Sequence, residues 1–369
     1  MTGIVWPEWL PLRDNLRPLS PYGAPQVPAE ASLNTNENPY SLSSKLARAI
    51  AERVEEVAVN LNRYPDRDAV KLRTELSRFI NELSGTEVTV SNVWAANGSN
   101  EIIQSLFLAF GRGSALGFTP SYSMHSLIAK VTSVHWIDGK RRSDFSLDID
   151  SAVAQILEAK PVLTFITTPN NPTGSSVTIE EITRLAEAAK QVGGLLIVDE
   201  AYAEFSDETS AVTLINENPH VLVIRTMSKA FAFAGVRLGY LIADPVVIDA
   251  MLLVRLPYHL SALTQAAAEV ALEFQSELLG TVAQLRIDRE LVAKELSGLG
   301  LTVLPSKANF LLFSGFDMDS ASLWKALLEE GVLIRDVGLS GYLRVTIGSA
   351  AENQRFISAL TRILNGAHS

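Results

Sequence analysis

The chain has 369 residues, 47% hydrophobic and 20% charged. That is the balance of a folded protein long enough for one large domain and a smaller one. Its 41 acidic and 31 basic residues give a net charge of −10 with no dense basic run, which disfavours a nucleic-acid partner. The absence of cysteine excludes disulfides, cysteine-ligated zinc and iron–sulfur clusters, and no stretch approaches the roughly 18 apolar residues of a membrane helix.

Residues 1–19 scatter Pro, Asp, Glu and Arg and read as neither a signal nor a transit peptide, so cytoplasmic residence is expected. Residues 1–40, rich in Pro and Asn, read as an extended arm. Leu46, Ile50, Val54 and Val57 share one face of a helix expected over 44–61. The string Asn62-Arg63-Tyr64-Pro65-Asp66 breaks it, and a second helix is expected over about 69–83. Short apolar runs then alternate with helices. Strands are expected at 93–95, 115–118, 134–137, 162–167, 195–199, 221–225 and 238–243, with helices starting near Asn100, Tyr122, Ile179 and Val246. Such alternation argues for a mostly parallel α/β sheet flanked by helices, with 238–243 as the antiparallel exception.

One long helix is expected over about 262–299. Strands at 301–304, 310–313, 332–335 and 343–347, with helices at 321–330 and 352–364, complete the chain. The expected organisation is an arm (1–40), a large α/β domain (41–260) and a small α+β domain (261–369).

Several strand ends carry residues with chemistry. Gly98, Ser99 and Asn100 precede a helix whose free N–H groups suit a phosphate, although an ordinary capped helix explains them too. Tyr122 follows the strand at 115–118 and offers a ring for stacking, or simple packing. Asn171 sits in Thr168-Pro169-Asn170-Asn171-Pro172-Thr173-Gly174, a turn composition whose amide can donate to a phenolate oxygen. Asp199 ends an apolar strand, where α/β sheets bind ligands, and Tyr202 follows it. A carboxylate buried there needs a cationic partner.

Thr226 and Ser228 flank Met227 immediately before Lys229, and Arg237 comes eight residues after Lys229. One lysine, one acid and one phenol near strand ends are what a pyridoxal 5'-phosphate site requires: an amine for the aldehyde, an acid for the pyridine nitrogen, a phenol for the ring oxygen. Hydroxyls and Arg237 suit the phosphate. Arg335 and Arg344 lie on expected neighbouring strands and suit forked recognition of an acidic group, with Asn309 a further candidate for the same crevice. The five histidines, His125, His135, His220, His259 and His368, show no metal spacing. No Walker or Gly-x-Gly-x-x-Gly string is present.

Taken with Asn34-Thr35-Asn36-Glu37-Asn38-Pro39, the strings at Asn62 to Asp66, Thr168 to Gly174, Asp199-Glu200-Ala201-Tyr202 and Ser228-Lys229-Ala230-Phe231 make the chain resemble the fold-type I pyridoxal-phosphate aminotransferases. Within them it is similar to the histidinol-phosphate aminotransferases. Pro21-Tyr22-Gly23-Ala24-Pro25, Pro257-Tyr258-His259-Leu260-Ser261 and Arg335-Asp336-Val337-Gly338 add to the likeness, which covers nearly the whole chain.

The resemblance implies pyridoxal 5'-phosphate as cofactor and Lys229 as the residue that bonds it and shuttles the proton. It implies Asp199 at the pyridine nitrogen, Tyr202 and Asn171 at the ring oxygen, and Tyr122 stacked on the ring. Gly98, Ser99, Asn100, Thr226, Ser228 and Arg237 would surround the phosphate. Tyr64 would reach the phosphate in a partner subunit, so a homodimer is implied. Arg335 and Arg344 would hold the substrate's acidic group, with Tyr22, Asn36 and Tyr258 lining the substrate end. The implied substrates are L-histidinol phosphate and 2-oxoglutarate, with glutamate as a product. An aromatic amino-acid aminotransferase or a related decarboxylase on the same scaffold stays open, because arginine forks serve phosphate and carboxylate alike. A non-catalytic regulator is disfavoured by the intact Lys229 and the lack of a DNA-binding extension.

Overall fold

The computed structural model describes residues 6–21 and 23–366. In the N-terminal stretch, expected as a plain extended arm, β1 (Ala31–Ser32) forms part of a small sheet described below. The first helix, Ser44–Ala58, is capped by Ser43, whose side chain accepts from the Leu46 amide. It stops short of residue 61 in a turn around Asn60. Val70–Ser84 forms the second helix, closed by Gly85 in the left-handed region at φ 64.

Seven strands make the main sheet: β2 (Val93–Ala96), β3 (Ser114–Thr119), β4 (His135–Lys140), β5 (Leu163–Thr167), β6 (Leu195–Asp199), β7 (Val221–Thr226) and β8 (Gly239–Ile242). Their order is β2-β8-β7-β6-β5-β3-β4. Pairings from β7 through β4 are parallel, while β8 runs antiparallel to both neighbours, as expected for 238–243. On β6, Leu196 and Val198 enter one apolar layer and Ile197 the other; Val221 and Val223 alternate with Leu222 and Ile224 on β7 in the same way. Cover on both faces is why these strands read as unbroken apolar runs.

One helix of the main unit, Ile149–Ala159, lay outside the sequence expectation; Asp148 caps it by accepting from the Ser151 amide. The helix expected over 262–299 is two, Ala262–Glu273 and Gln275–Gly298, broken at Phe274 (φ −101°, ψ 17°). No Gly or Pro marks the break; Phe274 instead turns its ring against the core, below the Lys45 ammonium at 5.4 Å.

Beyond it come β9 (Thr302–Val303), β10 (Phe310–Ser314), β11 (Val332–Leu333) and β12 (Tyr342–Thr346). β10 is the centre of an antiparallel three-stranded sheet with β9 and β12, while β11 pairs in parallel with β1. Further bonds, from the Leu33 amide to Leu333 O at 2.8 Å and from the Thr346 amide to Leu33 O at 2.9 Å, lock the N-terminal stretch between these strands. The segment is thereby threaded from the C-terminal sheets to the rim of the main sheet.

Candidate active site

The carboxyl ends of β5, β6 and β7 lie side by side, with Thr167 opposite Asp199 and Asp199 opposite Ile224. Above them opens a cavity of about 620 Å³. Its wall holds Ser99, Asn100, Tyr122, Asn171, Asp199, Tyr202, Thr226, Ser228, Lys229 and Arg237, and also Asn36, Arg335 and Arg344. Tyr22 lies outside the described residues. Tyr64 and Tyr258 are not brought to this wall: they stack on each other at 4.3 Å between ring centroids, with Tyr64 79% exposed. Asn309 is buried behind the wall.

Asp199 occupies the floor. One carboxylate oxygen accepts from the Ala201 amide at 3.2 Å, and the other lies 3.0 Å from His125 Nε2. His125 is buried between Tyr122, edge-on at 5.4 Å, and Phe165 at 4.7 Å. Sequence reading did not select it. Its only signal was its place one helical turn after Tyr122, within the helix Met124–Val131.

Lys229 Nζ donates to the Thr35 carbonyl at 2.9 Å. Burial lowers its amine from 10.5 to about 8; Arg344 and Arg237 add to the effect and Glu37 opposes it. Such an amine is a far better nucleophile and base near neutral pH than an exposed lysine.

At one end of the cavity the helix Ser99–Phe110 presents its N-terminus, with Gly98 as a cap lacking any side chain. Arg237, itself at φ 62, lays its guanidinium against Gly98: a Cβ there would stand 2.8 Å from Nη2. Thr226 Oγ1 lies 3.0 Å from Ser228 Oγ and accepts from the Ser228 amide at 3.2 Å. Free helix N–H groups, two hydroxyls and a guanidinium form a cradle for an anion. Tyr122 is aligned over the floor by a 3.1 Å bond to Asn100 Oδ1.

The other end is walled by arginines. Arg335 and Arg344 are directly opposite each other in an antiparallel bridge, exchanging both backbone bonds at 2.9 Å. Arg344 Nη1 donates to Asn171 Oδ1 at 2.6 Å and Nη2 to Asn34 O at 2.7 Å, and its guanidinium lies 5.1 Å from the Phe310 ring centroid. With Oδ1 so engaged, Asn171 keeps its Nδ2 as a donor. Asn36 Nδ2 donates to Tyr202 Oη at 2.9 Å. Asn34, Thr35 and Glu37 also reach the cavity, although sequence reading drew only Asn36 from that string.

An anion cradle at one end, a buried carboxylate at the floor, a near-neutral lysine between them and an aromatic cover match the four chemical features of pyridoxal 5'-phosphate. No cluster of three or more His, Asp or Glu suited to a metal occurs among the described residues.

The family model for "Aminotransferase class I and II" matches residues 30–360. The chain belongs to this family. It is 57% identical over 357 residues to a histidinol-phosphate aminotransferase of Rhodococcus opacus (strain B4), covering 96% of this chain and 93% of that one. It is 55% identical over 353 residues to the histidinol-phosphate aminotransferase of Mycolicibacterium smegmatis, covering 95% and 92%. Among solved structures, histidinol-phosphate aminotransferase from Clostridium acetobutylicum superposes with a TM-score of 0.82 over 91% of this chain and 99% of that one, at 23% identity. The Sinorhizobium meliloti histidinol-phosphate aminotransferase in complex with pyridoxal-5'-phosphate gives 0.81 over 92% of each at 24% identity. These two superpositions establish the fold-type I architecture for an aminotransferase whose family is set by sequence.

Proposed function

We propose that this aminotransferase moves the amino group of L-histidinol phosphate to 2-oxoglutarate, giving imidazole-acetol phosphate and L-glutamate. The 57% identity to a histidinol-phosphate aminotransferase over 96% of the chain carries this reading. Pyridoxal 5'-phosphate, when bound, supplies the aldehyde that takes up the amino group and the ring that withdraws electrons from the substrate's Cα.

The residues then have separable tasks. Gly98, Ser99, Asn100, Thr226, Ser228 and Arg237 would hold the phosphate. Asp199, held by His125, would keep the ring nitrogen protonated, and Asn171 and Tyr202 would address the ring oxygen. Lys229, whose amine is lowered to about 8, would bond the cofactor aldehyde and, once freed, would serve as the base that moves the substrate's Cα proton. Arg335 and Arg344 line the other end of the cavity, where a guanidinium fork would donate to the phosphate of one substrate and to the distal carboxylate of the other. Tyr122 and the loop at Asn171, which line the cavity, would cover the ring and exclude water.

The assembly and its surroundings belong to the same proposal. Tyr64 and Tyr258 stack on each other, Leu61, Leu253 and Leu256 in the same two segments are exposed, and Arg255 ties the segments by donating to Arg67 O at 2.8 Å. A second copy covering this patch would bring Tyr64 to the partner's phosphate cradle and Tyr258 to its substrate end. The chain after about residue 260 would act as the smaller unit. We place the protein in the cytoplasm; no helix among the described residues is long and apolar enough to cross a membrane.

The test is a half-reaction. The purified protein with its cofactor is mixed with L-histidinol phosphate alone, and the visible spectrum is followed. Conversion to the amine form of the cofactor supports the reading. Conversion by phenylalanine or tyrosine but not by L-histidinol phosphate transfers the assignment to an aromatic aminotransferase.

A further inference from the structure

The segment that offers its Thr35 carbonyl to Lys229 carries a second link three residues on. Asn38 is half-buried and stands outside the cavity wall. Its Nδ2 donates to the Ala230 carbonyl at 3.3 Å and to Thr281 Oγ1 at 3.1 Å, and its Oδ1 accepts from the Tyr40 amide at 3.0 Å. Ala230 directly follows Lys229, and Thr281 lies in the helix Gln275–Gly298.

Backbone groups fix which way this amide faces. A carbonyl oxygen only accepts, so the nitrogen end faces Ala230; a backbone N–H only donates, so the oxygen end faces Tyr40. Lys229 thus meets the segment at 34–40 at two points. Its amine donates to Thr35 O at 2.9 Å, and the peptide that follows it is held by Asn38. A lysine stem is long and flexible, so the position of its Cα alone places the amine poorly. The Thr35 bond sets that place, but it is given up whenever the amine leaves to bond an aldehyde. The Asn38 bond involves no atom of the amine and persists through that change.

We propose that Asn38 is a positioning residue for Lys229: it keeps the main chain after the lysine in register with the Thr35 carbonyl, so that the amine, once free, returns to one place on the cavity wall. Lys229 and that carbonyl are 194 residues apart in sequence, and the Asn38 amide joins the two segments. Through Thr281 the same amide ties both to the helix Gln275–Gly298. Asn38 itself is assigned no contact with substrate or cofactor. This inference rests on Lys229 bonding the cofactor, as in the function proposed above.

The experiment is the capture of pyridoxal 5'-phosphate by the cofactor-free protein, followed by absorbance after rapid mixing. The observed rate is measured against cofactor concentration. Its plateau reports the first-order step in which Nζ bonds the aldehyde carbon and the aldehyde oxygen departs as water with the two amine protons. Its half-saturation reports the reversible binding that comes before. Asn38→Ser keeps an oxygen that accepts from the Tyr40 amide, and so keeps the turn, but is too short to span to Ala230 and Thr281.

The expected result is a plateau lowered by about tenfold with half-saturation unchanged, because the groups around the phosphate are untouched. Thr281→Val, which cuts only the tie to the helix, should leave the plateau within about twofold. An unchanged plateau in Asn38→Ser overturns the proposal, and so does a fall shared by half-saturation, which marks a general loosening of the site. An equal fall in Thr281→Val also overturns it, since the helix and not the lysine loop would then matter. Asn38→Thr, with the same turn-forming hydroxyl and a volume closer to asparagine, takes the place of Asn38→Ser should that variant not fold. Borohydride reduction and peptide mapping separate this inference from the reading beneath it. Wild-type protein that captures no cofactor, or captures it on another residue, sinks the functional reading and this inference with it. Capture at Lys229 with a plateau indifferent to Asn38 sinks this inference alone.

Discussion

The buried amine of Lys229 gives the cofactor-free protein a stability profile with a defined sign. Burial lowers this amine from 10.5 to about 8. Below pH 8 it is charged in both the folded and the unfolded chain, and the folded state bears the full cost of holding it. Between about 8 and 10.5 the folded chain releases its proton first, so the unfolded chain binds more protons and stability rises with pH. Above 10.5 both are neutral and the cost is gone. The interval between the two values corresponds to roughly 3 kcal/mol at about 1.36 kcal/mol per pH unit. Lys229 is only half-buried on an open cavity wall, so water screening reduces this to about 1–2 kcal/mol. The perturbation is Lys229→Met, which keeps length and removes the charge. Urea unfolding of both cofactor-free proteins across the window should show the variant more stable below pH 8, with the gap closing as pH rises. Common titrations of other residues cancel in the difference. Parallel profiles with a constant gap would refute the assigned lowering and its burial cause.

Three other outcomes are open to direct measurement. Arg225 is buried between Glu200 Oε2 (2.9 Å from Nε) and Glu204 Oε1 (3.1 Å from Nη1), so Arg225→Met leaves two buried acids without a cation and should cost about 3–5 kcal/mol in denaturant unfolding; a loss under about 1 kcal/mol contradicts the pairing. Gly98→Ala puts a methyl 2.8 Å from Arg237 Nη2 at φ +82, and cofactor affinity measured by absorbance titration should fall by about tenfold or more, as expected for disturbing a charge-assisted bond. Retained affinity would remove Arg237 from the phosphate. Thr178 and Glu181 form a reciprocal capping box at the start of the helix Ile179–Gln191, and Thr178→Ala should lower thermal stability by about 1 kcal/mol without affecting cofactor affinity.

Local chain signals made much of the large sheet readable. A strand covered on both faces is an apolar run, and its end is marked by the first polar residue; Asp199 was found that way, and Thr226 as the start of the Thr226-Met227-Ser228-Lys229 string after the next strand. The antiparallel β8 was expected because it lies only a short turn after the loop that carries Lys229 and Arg237, with no crossover helix between it and β7. The split at Phe274 had no local mark because nothing in the helix composition changes there. Only the competition between helix continuation and packing of one ring decides it.

What the sequence by itself determined was the set of chemical groups and their attachment to strand ends: Lys229 after Thr226-Met227-Ser228, Tyr202 three residues beyond Asp199, and two arginines late in the chain. Only the tertiary structure decided which groups meet. His125 reaches Asp199 across 74 residues, Asn36 reaches Tyr202 across 166, Arg344 reaches Asn171 across 173, and Lys229 reaches the Thr35 carbonyl across 194. Tyr64 and Tyr258 meet each other on the surface rather than at the cavity of their own chain. Periodicity and turn composition report the backbone within a few residues. Hydrogen-bond direction, burial and charge depend on side chains that different elements bring to one place, and those are settled only when the elements pack.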